Sequence, residues 1–279
     1  MATLTGRISA WAGRRLSAYL NRPSHVCSTA APTDPVKLMR CVRPGDVVLV
    51  EGTTRVSVAI KYLTQSTWSH AALCVGDAVG ERDAEGRPRC FVEADVVVGV
   101  RAVSVAEFAG FHCRICRPVG LAAPDIDRVA RYAVDRIGHR YDVKNLVDLA
   151  RYLFPTPPVP VRWRRRMLAL GSGDPTRAIC STLIALAFQS VRYPILPVVD
   201  AMPTDDPGCR GCVREILHVR HHSLFVPRDF DVSPYFEIVK PALAADFDPH
   251  ALAWDDDATP ATAGAGAPDA RLPVHLASP

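Results

Sequence analysis

The chain has 279 residues, 48% hydrophobic and 22% charged, a balance that can bury a sizeable core and excludes a collagen-like or wholly disordered protein. No apolar run approaches the ~20 residues a membrane-spanning helix needs. The net charge of +4 divides into −5 over residues 241–279 and +9 over the first 240, a basic body with an acidic tail that suits an acidic lipid or polymer partner. No helix-turn-helix, zinc-finger or RNA-binding pattern is present, so nucleic acid is not expected as a partner.

Residues 1–35 read as a basic, partly flexible arm. Arg7, Arg14, Arg15 and Arg22 interrupt its apolar residues, so no secretory signal core forms. A cytoplasmic protein with reduced thiols is expected, at most peripheral to a membrane. Nine cysteines, an odd number, cannot all pair within the chain. Trp11, Leu16, Tyr19 and Leu20 would suit a membrane-surface helix, but a frayed terminus is the stronger reading.

Folded patterning starts near Val36 and runs to Lys240. Arg43-Pro-Gly-Asp46 is a turn signal, and the β-branched run Val47-Val-Leu-Val50 after it is a buried strand. Further short strands are predicted at 71–75, 90–94, 99–103 and 112–117, together a meander. The period then changes: Ile126, Val129, Ala130, Ala133, Val134 and Ile137 share one helical face, and Gly138 stops that helix. A second helix is predicted over 143–154. Residues 155–175 form a Pro-rich and Arg-rich excursion, followed by the apolar, charge-free helix 178–191. Residues 191–240 read as less regular. Residues 241–279, rich in Ala, Pro and Asp, read as a disordered tail, in which Asp255-Asp-Asp257 is a solvated charge run.

Three residues carry candidate chemistry. Cys180 opens an apolar helix directly after a Gly/Pro loop, where the helix dipole and free N–H groups favour thiolate and can form an oxyanion hole. His70 sits at the edge of an apolar strand, and Glu93 interrupts another. A cysteine nucleophile, a histidine base and a polar residue that orients the histidine make a generalised triad. Spacing alone leaves inert buried cysteine as the stronger reading.

The motifs Arg43-Pro-Gly-Asp46-Val-Val-Leu-Val, Thr64-Gln-Ser-Thr-Trp-Ser69-His70-Ala-Ala-Leu, Val92-Glu93-Ala, Gly99-Val100, Tyr141-Asp142 and Ile179-Cys180-Ser181-Thr-Leu-Ile together resemble the YiiX/YebB-like branch of the NlpC/P60 superfamily. Val226-Pro-Arg-Asp-Phe-Asp-Val-Ser-Pro234 resembles that branch's closing segment. The resemblance spans about 42–240. It implies an α+β, circularly permuted papain-like fold, with an antiparallel β-meander packed on helices, and a cysteine hydrolase that needs neither metal nor cofactor. By resemblance Cys180 is the nucleophile, His70 the base and Glu93 its orienter, with Tyr141 and Ser69 beside the substrate. The order His, Glu, Cys is that of the permuted branch. Thr182 stands where relatives commonly have an acidic residue. The expected reaction is cleavage of an amide in a peptide, cell-wall fragment or acylated molecule through a thioester. A lipid-directed acyltransferase or esterase using the same site, and a non-catalytic binding module, are the alternatives.

Two other signals compete. Cys113-x-x-Cys116 and Cys209-x-x-Cys212 have metal-type spacing, but the first pair falls in a predicted strand, where i and i+3 face opposite sides. Cys209 and Cys212 with His218, His221 and His222 could hold a small zinc site, although surface histidines and unpaired thiols are the favoured reading. Arg162, Trp163, Arg164, Arg165 and Arg166 suit either an anionic membrane surface or a solvated basic loop.

Overall fold

The computed structural model describes Arg22 and residues 30–95, 98–139, 179–203, 213–244 and 248–251. The sequence-based expectations at Tyr141, Arg162–Arg166, Cys209 and Cys212, the helix at 143–154, the excursion 155–175 and most of both arms lie outside those residues. The chain divides into two compact units, Met1–Ala245 and Asp246–Pro279. In the second, the described residues make one 3-10 turn, Pro249–Ala251.

The first unit is built on a six-stranded antiparallel sheet: β1 (Val47–Glu51), β2 (His70–Cys74), β3 (Phe91–Asp95), β4 (Gly99–Val103), β5 (His112–Pro118) and β8 (Phe236–Val239), in spatial order β4-β3-β2-β1-β5-β8. The fold is α+β, as expected. β1 to β4 form the expected meander, but β5 returns past them to pair with the free side of β1. β1 is thus central, with all five residues buried, which explains its unbroken apolar run. A separate two-stranded ribbon, β6 (Val198–Pro203) and β7 (Val213–His218), lies in the segment expected to be irregular.

Each face of the sheet carries its own core. Val47, Leu49, Ala71, Leu73, Val92 and Cys116 face α3 (Ala123–Val134) and α4 (Ile179–Ser190). Val48, Val50, Ala72, Phe91, Cys113 and Ile115 face α1 (Pro35–Cys41) and Phe108. Cys113 and Cys116 therefore belong to opposite cores, the geometry that disfavours chelation by this pair. In α4 the side chains of Leu183, Ile184, Ala185, Ala187 and Phe188 are all buried, the signature of a helix enclosed on most sides.

The Arg43-Pro-Gly-Asp46 turn does more than end a loop. Gly45 takes φ +88°, a left-handed conformation that suits glycine, and buried Asp46 accepts from the Arg43 N–H at 2.8 Å. The same carboxylate receives two bonds from Arg117 of β5, at 3.0 and 2.8 Å, which ties β1 to its returning neighbour. Two helices had no clear signal. α2 (Arg55–Thr64) is capped by Thr54 through Ser57, yet Val56, Val58 and Ile60 alternate as a strand would. α1 is only seven residues long.

Candidate active site

His70 is the first residue of β2, and Glu93 sits in β3 directly opposite Ala72. Residues 70 and 72 share a face of the pleat, so the imidazole and carboxylate are diagonal neighbours. Nε2 of His70 lies 2.7 Å from Oε2 of Glu93. The carboxylate is 2% exposed and the imidazole 29%, so the pair sits at the rim of the sheet with its acidic end inside. On the opposite face α4 brings Cys180 to the same strand end, where its sulfur shares a hydrogen bond with His70 and accepts one from the Ala71 N–H. With Nε2 engaged by Glu93, Nδ1 is the nitrogen left for Cys180. Cys180, His70 and Glu93, separated by 23 and 87 positions in sequence, thus form one hydrogen-bonded line.

The electrostatics of the line differ from those of ordinary buried thiols. Burial raises the thiol of Cys74 to about 12, that of Cys90 to about 11 and that of Cys113 to about 12. Burial acts on Cys180 in the same sense, but the His70 charge, its hydrogen bond and the Ala71 N–H together bring the thiol below its ordinary value. Burial would likewise lower His70. The negative charges of Cys180 and Glu93 outweigh it and hold the imidazole well above its usual range. Glu93 is held below the usual carboxylate value, since His70 and Arg101 outweigh its desolvation. These directions favour a thiolate–imidazolium pair backed by a carboxylate.

The strand end that presents His70 is held from both sides. Ser69 is buried, its hydroxyl accepting from the Gly52 N–H at 2.9 Å and donating to the Val50 carbonyl at 3.4 Å; it is committed to β1. Trp68 stacks on His112 and donates through Nε1 to Asp231 at 3.1 Å. Asp231 also receives Arg114 at 2.7 Å, so the closing segment 226–234 clamps the loop before His70. A Cβ at Gly52 would fall against Ser57 Oγ and 2.8 Å from Ser69 Oγ. Gly52→Ala is therefore expected to destabilise the fold by about 1–3 kcal/mol and to displace Ser69; thermal melting with Cys180 labelling checks both.

Arg101, which sequence reasoning passed over, pairs with Glu93 across β3 and β4. Its signal was a charge inside the apolar strand Gly99-Val-Arg-Ala-Val103, the same signal that singled out Glu93. Among the described residues no three His, Cys, Asp or Glu side chains cluster as a metal site would require.

Residues 41–153 match the model of a family described as permuted papain-like amidase enzymes, YaeF/YiiX, C92 family. Over that stretch, well under half of its length, the chain is similar to permuted papain-like amidases. The match spans His70 and Glu93 and stops before Cys180. A solved structure titled as metalloprotein yiiX from Escherichia coli O157:H7 is 15% identical, covering 71% of this chain and 96% of that one with a TM-score of 0.38, a likeness too loose to argue from. No curated protein matches the chain. No described helix is long and apolar enough to cross a membrane.

Proposed function

We propose that the protein is a cysteine amidase that cleaves an amide of a peptide, cell-wall fragment or acylated molecule through a thioester on Cys180. The observation that carries the reading is the continuous line from the Cys180 sulfur through His70 to Glu93. Its thiol is lowered, whereas burial raises Cys74, Cys90 and Cys113.

The Cys180 thiolate attacks the carbonyl carbon, and the C=O electron pair moves onto oxygen. Backbone N–H groups at the start of α4 are suited to receive that oxyanion. As the tetrahedral species collapses, the C–N bond breaks and the His70 imidazolium gives its proton to the departing amine. Water then attacks the thioester with His70 as base, releasing the acid and restoring the thiolate. Glu93 keeps the imidazole ring oriented and favours its charged form.

The reaction needs a deprotonated sulfur and a protonated imidazole at once. Its kcat/KM should therefore rise with pH through an apparent value below the ordinary thiol pKa of 9.0 and fall through one above the ordinary imidazole pKa of 6.5. The two limbs belong to the coupled pair rather than to either residue. The test is release of chromophore from aminoacyl and fatty-acyl p-nitroanilides across pH. Turnover with a bell-shaped profile, absent in Cys180→Ala, is expected. A profile that climbs without a basic limb, or turnover retained in Cys180→Ala, contradicts the reading.

A further inference from the structure

We propose that Arg101 is a positioning residue of this site: it fixes one oxygen of Glu93 so that the other is presented to His70, and Glu107 fixes Arg101 in turn. The inference rests on the Cys180–His70–Glu93 reading and extends it outward to β4.

The division of the carboxylate is explicit. Oε2 of Glu93 faces His70 Nε2 at 2.7 Å, while Oε1 takes Nε and Nη2 of Arg101 at 2.9 and 2.7 Å. A carboxylate turns freely about its last torsion, which is broad and two-fold, so a single bond to a part-exposed imidazole does not set its roll. A guanidinium fork on the second oxygen does. The fork has little freedom of its own, because Arg101 stands directly opposite Glu93 in the β3–β4 register. On its far side Nη2 of Arg101 meets Oε1 of Glu107 at 2.6 Å. Glu107 follows β4 in the 3-10 turn Val105–Phe108, so both anchors come from one short stretch of chain.

Burial ranks the two pairs. Glu93 is 2% exposed, while Arg101 and Glu107 are 32% and 45% exposed. A carboxylate that deep must be paired to stay ionised, whereas a solvent-screened bridge such as Arg101–Glu107 contributes little by itself. Arg101 also lines an open cleft of about 530 Å³ with Glu81, Asp83, Arg87, Arg89 and Ser104. Water therefore reaches its outer face, and its influence on the triad runs through Glu93 alone. The charged groups facing the site are few. Glu93 faces His70 from β2 and Arg101 from β4, His70 faces Glu93 and Cys180 from α4, and Arg101 faces Glu93 and Glu107.

The sign of the effect separates positioning from other roles. Losing Arg101 lets Glu93 roll away or take a proton, so His70 loses support for its charge. The first proton then leaves the imidazole rather than the thiol, and thiolate forms at higher pH. If Arg101 were only a competing cation on Glu93, its loss would strengthen the His70–Glu93 pair and shift the limb down. If it were only a structural bridge, melting would change and the limb would not.

The test follows alkylation of Cys180 by iodoacetamide against pH, which needs no substrate. Arg101→Gln should move the thiolate limb up by about one unit, a roughly tenfold slower reaction on its rising side. Arg101→Lys, which keeps the charge and one bond, should recover part of the shift, and Glu107→Gln should give a smaller shift of the same sign. Glu93→Gln sets the ceiling: adding Arg101→Gln to it should move the limb no further, because residues that act in series do not add. An unshifted or downward limb in Arg101→Gln beside a normal wild type, or a further shift on the Glu93→Gln background, overturns the inference alone. A wild-type Cys180 that labels no faster than the other thiols overturns the triad reading beneath it as well. If Arg101→Gln does not fold, the Lys and Glu107 variants carry the same comparison.

Discussion

Cys180→Ala is expected to abolish amide turnover, and His70→Ala to lower kcat/KM by on the order of 10⁴-fold or more. The second figure follows from the neighbouring thiols. Without His70 the largest effect opposing burial at Cys180 is gone, leaving the Ala71 N–H and Ser181; burial places the Cys74 and Cys113 thiols at about 12. A thiol at that value is ionised in only about one molecule in 10⁵ at neutral pH, and the thiol form is a poor nucleophile. The imidazolium that protonates the leaving amine is lost in the same substitution. The loss should fall on kcat, because both roles are exercised in the chemical step. Glu93 loses a partner but keeps its bonds to Arg101, so the substituted protein should still fold with a lowered melting temperature. Steady-state kinetics with a melting curve tests this; a His70→Ala protein that keeps a tenth of its kcat/KM would remove the imidazole from the mechanism.

Phe188→Ala should be the most damaging single change to the fold, at about 3–5 kcal/mol, against a total of roughly 5–15 kcal/mol for a domain. Phe188 is 0% exposed and lies on α4, the helix that carries Cys180. Its ring centroid stands 5.5 Å from Tyr193 and 5.3 Å from Phe236, the second pair edge to face. Phe236 in turn meets Phe230 at 5.7 Å, so one side chain joins α4, β8 and the closing helix Pro227–Asp231. The ring is held between these packed elements, so its removal leaves a cavity that they can close only in part. Denaturant unfolding measures the loss; a cost under about 1 kcal/mol would mean that α4 is not seated as described.

Much of this was legible in the sequence because each signal was local. The run at 47–50, the charges inside strands 70–74 and 91–95, and the 3.6-residue period from Ile126 to Val134 all sit inside single elements, although the helix ends at Val134 rather than at Gly138. Glu93 was visible because a carboxylate breaks an apolar strand. Arg101 breaks the adjacent strand in the same way, but its meaning depends on the β3–β4 register, which spacing alone does not supply. The return of β5 to β1 was hidden for a similar reason: successive strands read as a meander until the Asp46–Arg117 bond shows which edge is used. α2 was missed because Val56, Val58 and Ile60 carry a strand's period while the Thr54 cap starts a helix. The Ser69 hydroxyl is bonded to Gly52 and Val50, a partnership between residues 17 and 19 positions apart that no motif displays.

The activated state of Cys180 is the claim on which the rest depends, and limiting iodoacetamide on the native protein measures it directly. Labelling from about pH 5 to about pH 9, with adducts located by peptide mass spectrometry, is compared between the wild type and His70→Ala. Preferential modification of Cys180 below pH 7, lost in the mutant, is the predicted result, because the other buried thiols are pushed up while this one is brought down. A Cys180 that reacts no faster than Cys27 or Cys209, or that keeps its preference without His70, would contradict the thiolate–imidazolium pair.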